Sequence, residues 1–546
     1  MKQYYLFLLL LFPIYNFAQP GGESAISTIN STIPYQGYDE PMPQLGTGEY
    51  KIYYDNVDGV LDKPIFVVDG FDPGDDRDIS LIYPLLDYGN GENLGDDVRD
   101  QGFDIVVLNF PIYTSSTDGT TIIDGGADFI QRNAFILVEL INTINGMKTG
   151  TEENVVVGPS MGGLISRYAL RYMEQNSMDH DTRLFISFDT PHLGANVPIG
   201  IQYLFNYMVN GDPSLTEAEP FVNNLLNSAA AKQMLIDHYL GHLQSGSSYE
   251  QDPNQTLPIG APNFRDTFQS ELDAMGFPED VRNVAISNGS GTGMMTGIPG
   301  MELLNHTFDT GQVGGLDTQA IITLHFTPLS NQSIEVNHFI GQVNFWGWQD
   351  VYTFSADSEA TSFSDGLDSA PGGQFNMYSF DNGSNPLIAE FVANLNTQYF
   401  NFIPTLSSLA ISDLNWYNTP NLDNSPFDNT YIPSNNEPHV TLTNGNAAFA
   451  LNEIFNETLT SEDALQNNIS IRLEKNPISE SLSIISSHQL NDAEISIVDL
   501  TGKTVYQQHM DLSFKTQIPL RLTSGLYVLN IKTQQNGIFQ SKLIVK

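Results

Sequence analysis

Short, continuous apolar runs alternate with longer amphipathic ones between residues 60 and 190. Lys63-Pro64-Ile65-Phe66-Val67-Val68-Asp69-Gly70-Phe71 is β-branched, apolar throughout its centre and ends in Gly, the pattern of a strand covered on both faces. Asp104-Ile105-Val106-Val107-Leu108-Asn109-Phe110 repeats it. Between the two, Ile79 to Leu86 can begin a helix. From Phe129 to Met147 the apolar positions Ile130, Ala134, Leu137, Val138, Ile141 and Ile144 recur at helical spacing. Asn154-Val155-Val156-Val157 is a third strand, followed by Gly158-Pro159-Ser160-Met161-Gly162-Gly163 and a helix with Leu164, Tyr168 and Tyr172 on one face. A fourth strand, Arg183 to Phe188, ends in Asp189-Thr190-Pro191-His192-Leu193-Gly194. Strands alternating with helices predict an α/β fold with a mostly parallel sheet clad on both sides.

Beyond residue 200 the alternation is interrupted. Residues 200–280 read as mainly helical, as in Ala229 to Leu243, and Asn283 to Ser287 as one more core strand. Residues 320–360 have β patterning with many aromatics, and 361–435 are dense in Asn, Asp, Gly, Pro and Ser, hence long loops. Together they predict a large lid-like insertion, about 200–430, over one end of the sheet. The last stretch differs in kind: Leu482-Ser483-Ile484, Ile495-Ser496-Ile497-Val498 and Leu526-Tyr527-Val528-Leu529 alternate between turns, which predicts a small all-β sandwich. The expected organisation is a signal peptide (1–18), an irregular lead-in (19–48), the α/β domain (49–465) and the β-sandwich tail (470–546).

Charge and composition narrow the chemistry. The 546 residues include 64 acidic and 21 basic ones, for a formal net charge of -43. Such a surface repels phosphate backbones and anionic membranes, which argues against a nucleic-acid partner. There is no cysteine, so disulfides, thiolate catalysis and cysteine-bound zinc are excluded. Lys2, the apolar run Tyr4 to Ile14 and the small residue in Phe17-Ala18-Gln19 read as a secretory signal. No later run is long enough to span a bilayer, so no transmembrane segment is expected in the mature chain. The Asp-rich stretches 69–78 and 357–368 invite Ca²⁺ but lack EF-hand spacing, and no metal or cofactor is assigned.

Gly158-Pro159-Ser160-Met161-Gly162 fits G-x-S-x-G. In that motif Ser sits on a sharp strand-to-helix turn, its hydroxyl raised above the sheet, with the next amide aimed at a developing oxyanion. The pentapeptide alone is weak, and a structural glycine turn is the competing reading. Here it follows a strand of valines and opens an apolar helix, the context the chemistry needs, so Ser160 is the candidate nucleophile.

With Gly158 to Gly163 and Thr190 to Gly194, residues 60–200 resemble α/β-hydrolase lipases and esterases, which carry G-x-S-x-G-G and, one strand later, T-P-H-x-G. The resemblance implies ester hydrolysis through an acyl-enzyme, with no cofactor and an ester or lipid-like substrate. Pro159 departs from the aromatic or His usual there, and Asp69-Gly70-Phe71 stands where His-Gly is common. By position, the Phe71 and Met161 backbone N–H groups form the oxyanion hole. The fold's chain order of Ser, acid, His selects His439, after Asn435-Asn436-Glu437-Pro438 and before the helical stretch Ala447 to Phe455. Of the other histidines, His180 comes too early, and His488 and His509 lie in the tail. His306, His325 and His338 fall in the insertion, and His192 in the T-P-H motif is structural. His238 and His242, four apart on an expected helix, are surface residues rather than a metal pair.

The acid is left open. Asn288-Gly289-Ser290-Gly291 offers no carboxylate in the usual slot, and Asp189 takes the place some lipases use. Asp413, Asp428 and Asp368 remain alternatives. The aromatics Phe339, Phe345, Trp346, Trp348, Tyr352 and Phe354 suggest an acyl-binding surface, against the plainer reading that they pack the insertion itself. The tail resembles the C-terminal sorting domain of type IX secretion cargo through Asn476-Pro477, Asp499-Leu500-Thr501-Gly502-Lys503, Gly525-Leu526-Tyr527-Val528 and Lys542-Leu543-Ile544-Val545-Lys546. That implies recognition by outer-membrane secretion machinery and a secreted or surface location. The same machinery also suits a thioesterase, an amidase or a lipid-anchor hydrolase, and the empty acid slot admits a non-catalytic binding protein on the same scaffold.

Overall fold

The computed structural model describes residues 21–455 apart from 213, 216, 217, 382 and 384. It also describes 471–545 apart from 474–477, 479, 480, 487, 488, 500–502 and 534–536. The expected signal peptide and His488 lie outside the described residues. The chain divides into two compact units, Met1–Leu451 and Asn452–Lys546.

The first unit is built on an eight-stranded sheet. Its strands in chain order are β1 (Ser27–Asn30), β2 (Thr47–Tyr53), β3 (Pro64–Val68), β4 (Asp104–Asn109), β5 (Asn154–Pro159), β6 (Thr182–Phe188), β7 (Arg282–Ile286) and β8 (Asn429–Tyr431). In space they run β1-β2-β4-β3-β5-β6-β7-β8. Only the β1–β2 and β2–β4 pairs are antiparallel. Every residue of β3 and β4 is buried, as an apolar run without alternation requires when both faces are covered. Helix α1 (Ile130–Met147) supplies part of that cover through Ile130, Ala134, Leu137, Val138, Ile141 and Ile144, all fully buried. Helix α2 (Met161–Gln175) contributes Leu164, Ile165 and Leu170. The carboxyl ends of β3, β5, β6 and β7 lie side by side, and the loops that leave them share one edge of the sheet.

Two excursions gather around that edge. Between β6 and β7 the chain forms Ile199–Asn210 and shorter helical pieces. Between β7 and β8 it builds a four-stranded antiparallel meander over Glu302–Glu359 and a two-stranded ribbon of Gly372–Asn376 with Tyr399–Pro404. Leu303, Leu304, Phe308, Ile322, Leu324 and Phe326 of the meander share a core with Ile201, Leu204 and Phe400. The excursion is therefore packed down on the helix Ile199–Asn210.

Three expectations need correction. The lead-in 19–48 is not wholly irregular, because Ser27–Asn30 pairs with β2 as the sheet edge, a short half-exposed strand that lacks an apolar run. Residues 361–435 hold the ribbon and the helix Pro386–Ala393, not loops alone. The helix from Ala229 stops at Met234, where the chain turns extended at Leu235.

In the second unit the described strands make two antiparallel sheets, one of three strands and one of four. Leu482, Ile484, Ile495, Ile497, Leu529, Ile531 and Leu543 form its own core. Strand Ser481–Ser486 buries every second residue, the period-two pattern of a sandwich face. Because each unit buries a separate core, a chain ending at residue 470 is expected to keep the main thermal transition of the full protein. Differential scanning calorimetry checks this, and loss of that transition would contradict it.

Candidate active site

Ser160 stands between the last residue of β5 and the first of α2, with φ 53° and ψ -129°. A non-glycine residue there is strained by about 1–3 kcal/mol, and only the surrounding packing holds it. The packing is visible in the neighbouring glycines. A Cβ on Gly162 would lie 2.3 Å from Val68 O, and one on Gly163 would lie 1.9 Å from Thr190 Oγ1. Strand and helix pass so closely that only hydrogen fits. Ser160 N–H donates to Phe188 O (2.9 Å), tying the turn to β6. As the first helical residue, Met161 has no intrahelical acceptor for its N–H.

His439 Nε2 lies 2.8 Å from Ser160 Oγ, and Nδ1 lies 2.7 Å from Asp189 Oδ2. Asp189 follows β6 at φ 47° and is fully buried. Its N–H donates to Ile286 O (2.7 Å), and its Oδ1 accepts from Asn288 N–H (3.0 Å), so β7 fixes its orientation. With Nδ1–H directed at the carboxylate, Nε2 is left to accept the serine proton. The loop that carries the imidazole is stitched by its backbone. His439 N–H donates to Gln374 O (2.8 Å), Gln374 N–H to Glu437 O (3.0 Å) and Glu437 N–H to Asn288 O (2.8 Å). Phe402 meets the ring edge-on, 4.9 Å between centroids.

The loop after β3 reaches the same point. A Cβ on Gly70 would sit 3.3 Å from Ser160 Cβ, which brings the Gly70-Phe71 backbone beside the serine. Asp69 anchors this loop through an ion pair with Arg77 (2.9 Å). Burial pushes its carboxyl up to about 6, against the pull of the guanidinium. Arg77 Nη2 also donates to Phe71 O (3.4 Å).

The remaining candidates lie elsewhere. Asp428 Oδ2 accepts from Asn283 N–H (2.8 Å), and Asp413 caps an exposed turn at Asn415. Asp368 is buried and accepts from Thr327 N–H (2.8 Å) and Asn196 Nδ2 (3.0 Å). His192 is buried with Nε2 2.8 Å from Ser187 Oγ, a structural contact. His238 and His242 are not surface residues. Both are buried, bonded to Leu226 O and Asp237, because a 3-10 turn replaces the expected helix. His306 and His338 pair with Glu390 and Glu335. Among the described residues no group of three or more His, Asp or Glu is arranged for a metal ion.

Burial pushes the Asp368 carboxyl up to about 6. An unfolded aspartate titrates near about 3.9, so between these values the folded chain binds the extra proton and stability falls as pH rises. Asp368→Asn removes that dependence. Its thermal stability is expected to gain on the native chain between pH 4 and 7, by at most about 3 kcal/mol. Parallel melting curves across that range test this; a constant difference would contradict it.

Against Phe402, which packs on the His439 ring, lies an apolar cleft. Phe71, Phe205, Phe221, Phe375, Phe380 and Phe402 are among its walls. Apart from Phe71, named for its backbone N–H, sequence reasoning did not single out these residues. Of the aromatics weighed between an acyl-binding surface and packing of the insertion, Phe339 and Phe354 pack on Tyr207, and Phe345, Trp346 and Trp348 are exposed at a hairpin end.

A mostly parallel sheet clad by helices, with a serine on a strained turn at its carboxyl edge, is the arrangement of the α/β-hydrolase fold. Residues 126–209 match the family described as "Putative serine esterase (DUF676)", and residues 476–546 match "Secretion system C-terminal sorting domain". No curated protein matches. The fold is similar to the mature Bacillus licheniformis lipase BlEst2 (12% identity, 42% of this chain and 66% of that one, TM-score 0.21). It is also similar to the peroxisomal alpha-beta-hydrolase Lpx1 of Saccharomyces cerevisiae (12%, 48% and 74%, TM-score 0.26). A third is Est1E from Butyrivibrio proteoclasticus (10%, 44% and 74%, TM-score 0.22). The sorting domain marks the chain for type IX secretion to the cell surface or the extracellular space.

Proposed function

We propose that the protein is a secreted carboxylic-ester hydrolase that acts through Ser160, His439 and Asp189 and an acyl-enzyme. The observation that carries this is the unbroken line of hydrogen bonds from Ser160 Oγ through the imidazole to the buried Asp189. His439 Nε2 takes the hydroxyl proton as Ser160 Oγ attacks the acyl carbon. The Met161 and Phe71 N–H groups stabilise the oxyanion, worth about 3 kcal/mol for each donor in comparable sites. The tetrahedral adduct collapses as His439 returns the proton to the departing alcohol. Water, deprotonated by the same imidazole, then attacks the acyl-serine and releases the acid. Asp189 stays ionised throughout and stabilises the imidazolium.

An empty acid slot after β7 was the feature favouring a non-catalytic scaffold. Against that reading stands Asp189, whose carboxylate lies 2.7 Å from His439 Nδ1. Labelling of Ser160 by a fluorophosphonate, together with hydrolysis of p-nitrophenyl butanoate, is the expected result. An unreactive serine in folded protein would refute the proposal. Faster turnover of a matched thioester or anilide would shift the bond cleaved while keeping the machinery.

A further inference from the structure

We infer that the phenylalanine-lined cleft beside His439 receives the acyl chain of the substrate, so that the protein selects medium- and long-chain acyl esters. This rests on the ester-hydrolase reading above. The cleft meets the site through two of its walls: Phe402 packs on the His439 ring, and Phe71 follows Gly70, whose Cβ would sit 3.3 Å from Ser160 Cβ. An acyl carbon held at Ser160 therefore has its chain directed along these rings.

The rings continue away from the serine as a connected series. Phe402 to Phe375 is 5.7 Å between centroids, Phe375 to Phe380 is 5.4 Å, and Phe380 to Phe221 is 6.1 Å. Phe221 stacks on Phe205 at 4.7 Å and 6°, closing the series with a flat apolar pair. A two-carbon acyl group would leave most of this length empty.

Among the described residues the lining carries no charged side chain. Its polar member, Gln202, has its amide engaged elsewhere. Nε2 donates to Val197 O (2.8 Å) and Asp237 O (2.9 Å), and Oε1 accepts from Tyr239 N–H (3.1 Å). None of the described lining residues can neutralise a carboxylate, a phosphate or an ammonium group, whereas each methylene entering the cleft leaves water. At about 0.8 kcal/mol per buried methylene, kcat/KM gains about fourfold per added carbon until the cleft is full.

The test is kcat/KM for p-nitrophenyl esters from acetate to dodecanoate, on the full chain. A rise of at least about 100-fold from acetate to octanoate is expected. Ala231→Phe, which thrusts a ring into the cleft from the helix Ala229–Met234, is expected to flatten that rise. Phe221→Ala, which opens its far end, is expected to move the optimum to longer chains. Equal turnover of acetate and octanoate, or an unchanged rise in Ala231→Phe, by protein that reacts with fluorophosphonate would overturn the inference. If Ser160 proves unreactive, the hydrolase reading fails alone. Calorimetric titration of dodecanoate into Ser160→Ala then decides the cleft. Binding that Ala231→Phe abolishes supports it, and no binding sinks it.

Discussion

Ser160→Ala is expected to lower kcat for ester hydrolysis by about 10⁶-fold, the scale on which removing the nucleophile abolishes triad catalysis. The fold should not suffer. Alanine keeps the Cβ that the φ 53° backbone already accommodates, so the substitution subtracts only the oxygen facing His439. Equal thermal stability with no turnover is the expected pair of measurements. Ser160→Gly should be equally inactive yet more stable by about 1 kcal/mol, because glycine takes this backbone conformation without strain. Residual turnover above a hundredth of the native rate in either variant would mean that another residue attacks the ester.

Asp189→Asn is expected to cost about 10⁴ in kcat with little change in KM, since the amide leaves the imidazole in the wrong tautomer without moving it far. A less obvious substitution should produce a similar defect from the opposite side. A Cβ on Gly373 would sit 2.0 Å from Asp189 Oδ2, the oxygen that faces His439. Gly373→Ala must therefore push the carboxylate away. Asp368→Asn, which changes a carboxyl bonded to Thr327 and Asn196 and not to His439, is expected to retain native turnover. Steady-state kinetics on the three variants checks the set; full activity of Asp189→Asn would remove Asp189 from the mechanism.

Legibility in the sequence follows the range of the interactions involved. The α/β class was readable because β3, β4, β5 and β6 are short apolar runs whose character is local. Ser160 was readable for the same reason: the glycines that permit the turn are its neighbours. The acid was not, because the choice among Asp189, Asp368, Asp413 and Asp428 depends on which carboxylate lies across the sheet edge from His439, some 250 residues apart in the chain. The cleft was least legible. Phe375, Phe380, Phe400 and Phe402 lie in a stretch whose composition reads as loop, and they converge only because Gly372–Asn376 pairs with Tyr399–Pro404. The buried state of His238 and His242 was equally hidden, since it depends on Leu226 and Asp237 rather than on helical spacing.

The bond from His439 N–H to Gln374 O ties the imidazole to the ribbon strand Gly372–Asn376, inside the long excursion between β7 and β8. That excursion is consequently no detachable cover. Pruning it to make a smaller protein would unseat His439 along with the ornament. Freedom to vary, whether under selection or at an engineer's bench, is left to regions outside that fastening, such as the solvent-facing strand ends beside the hairpin tips, whose positive-φ Gly314, Gly315 and Gly347 must stay.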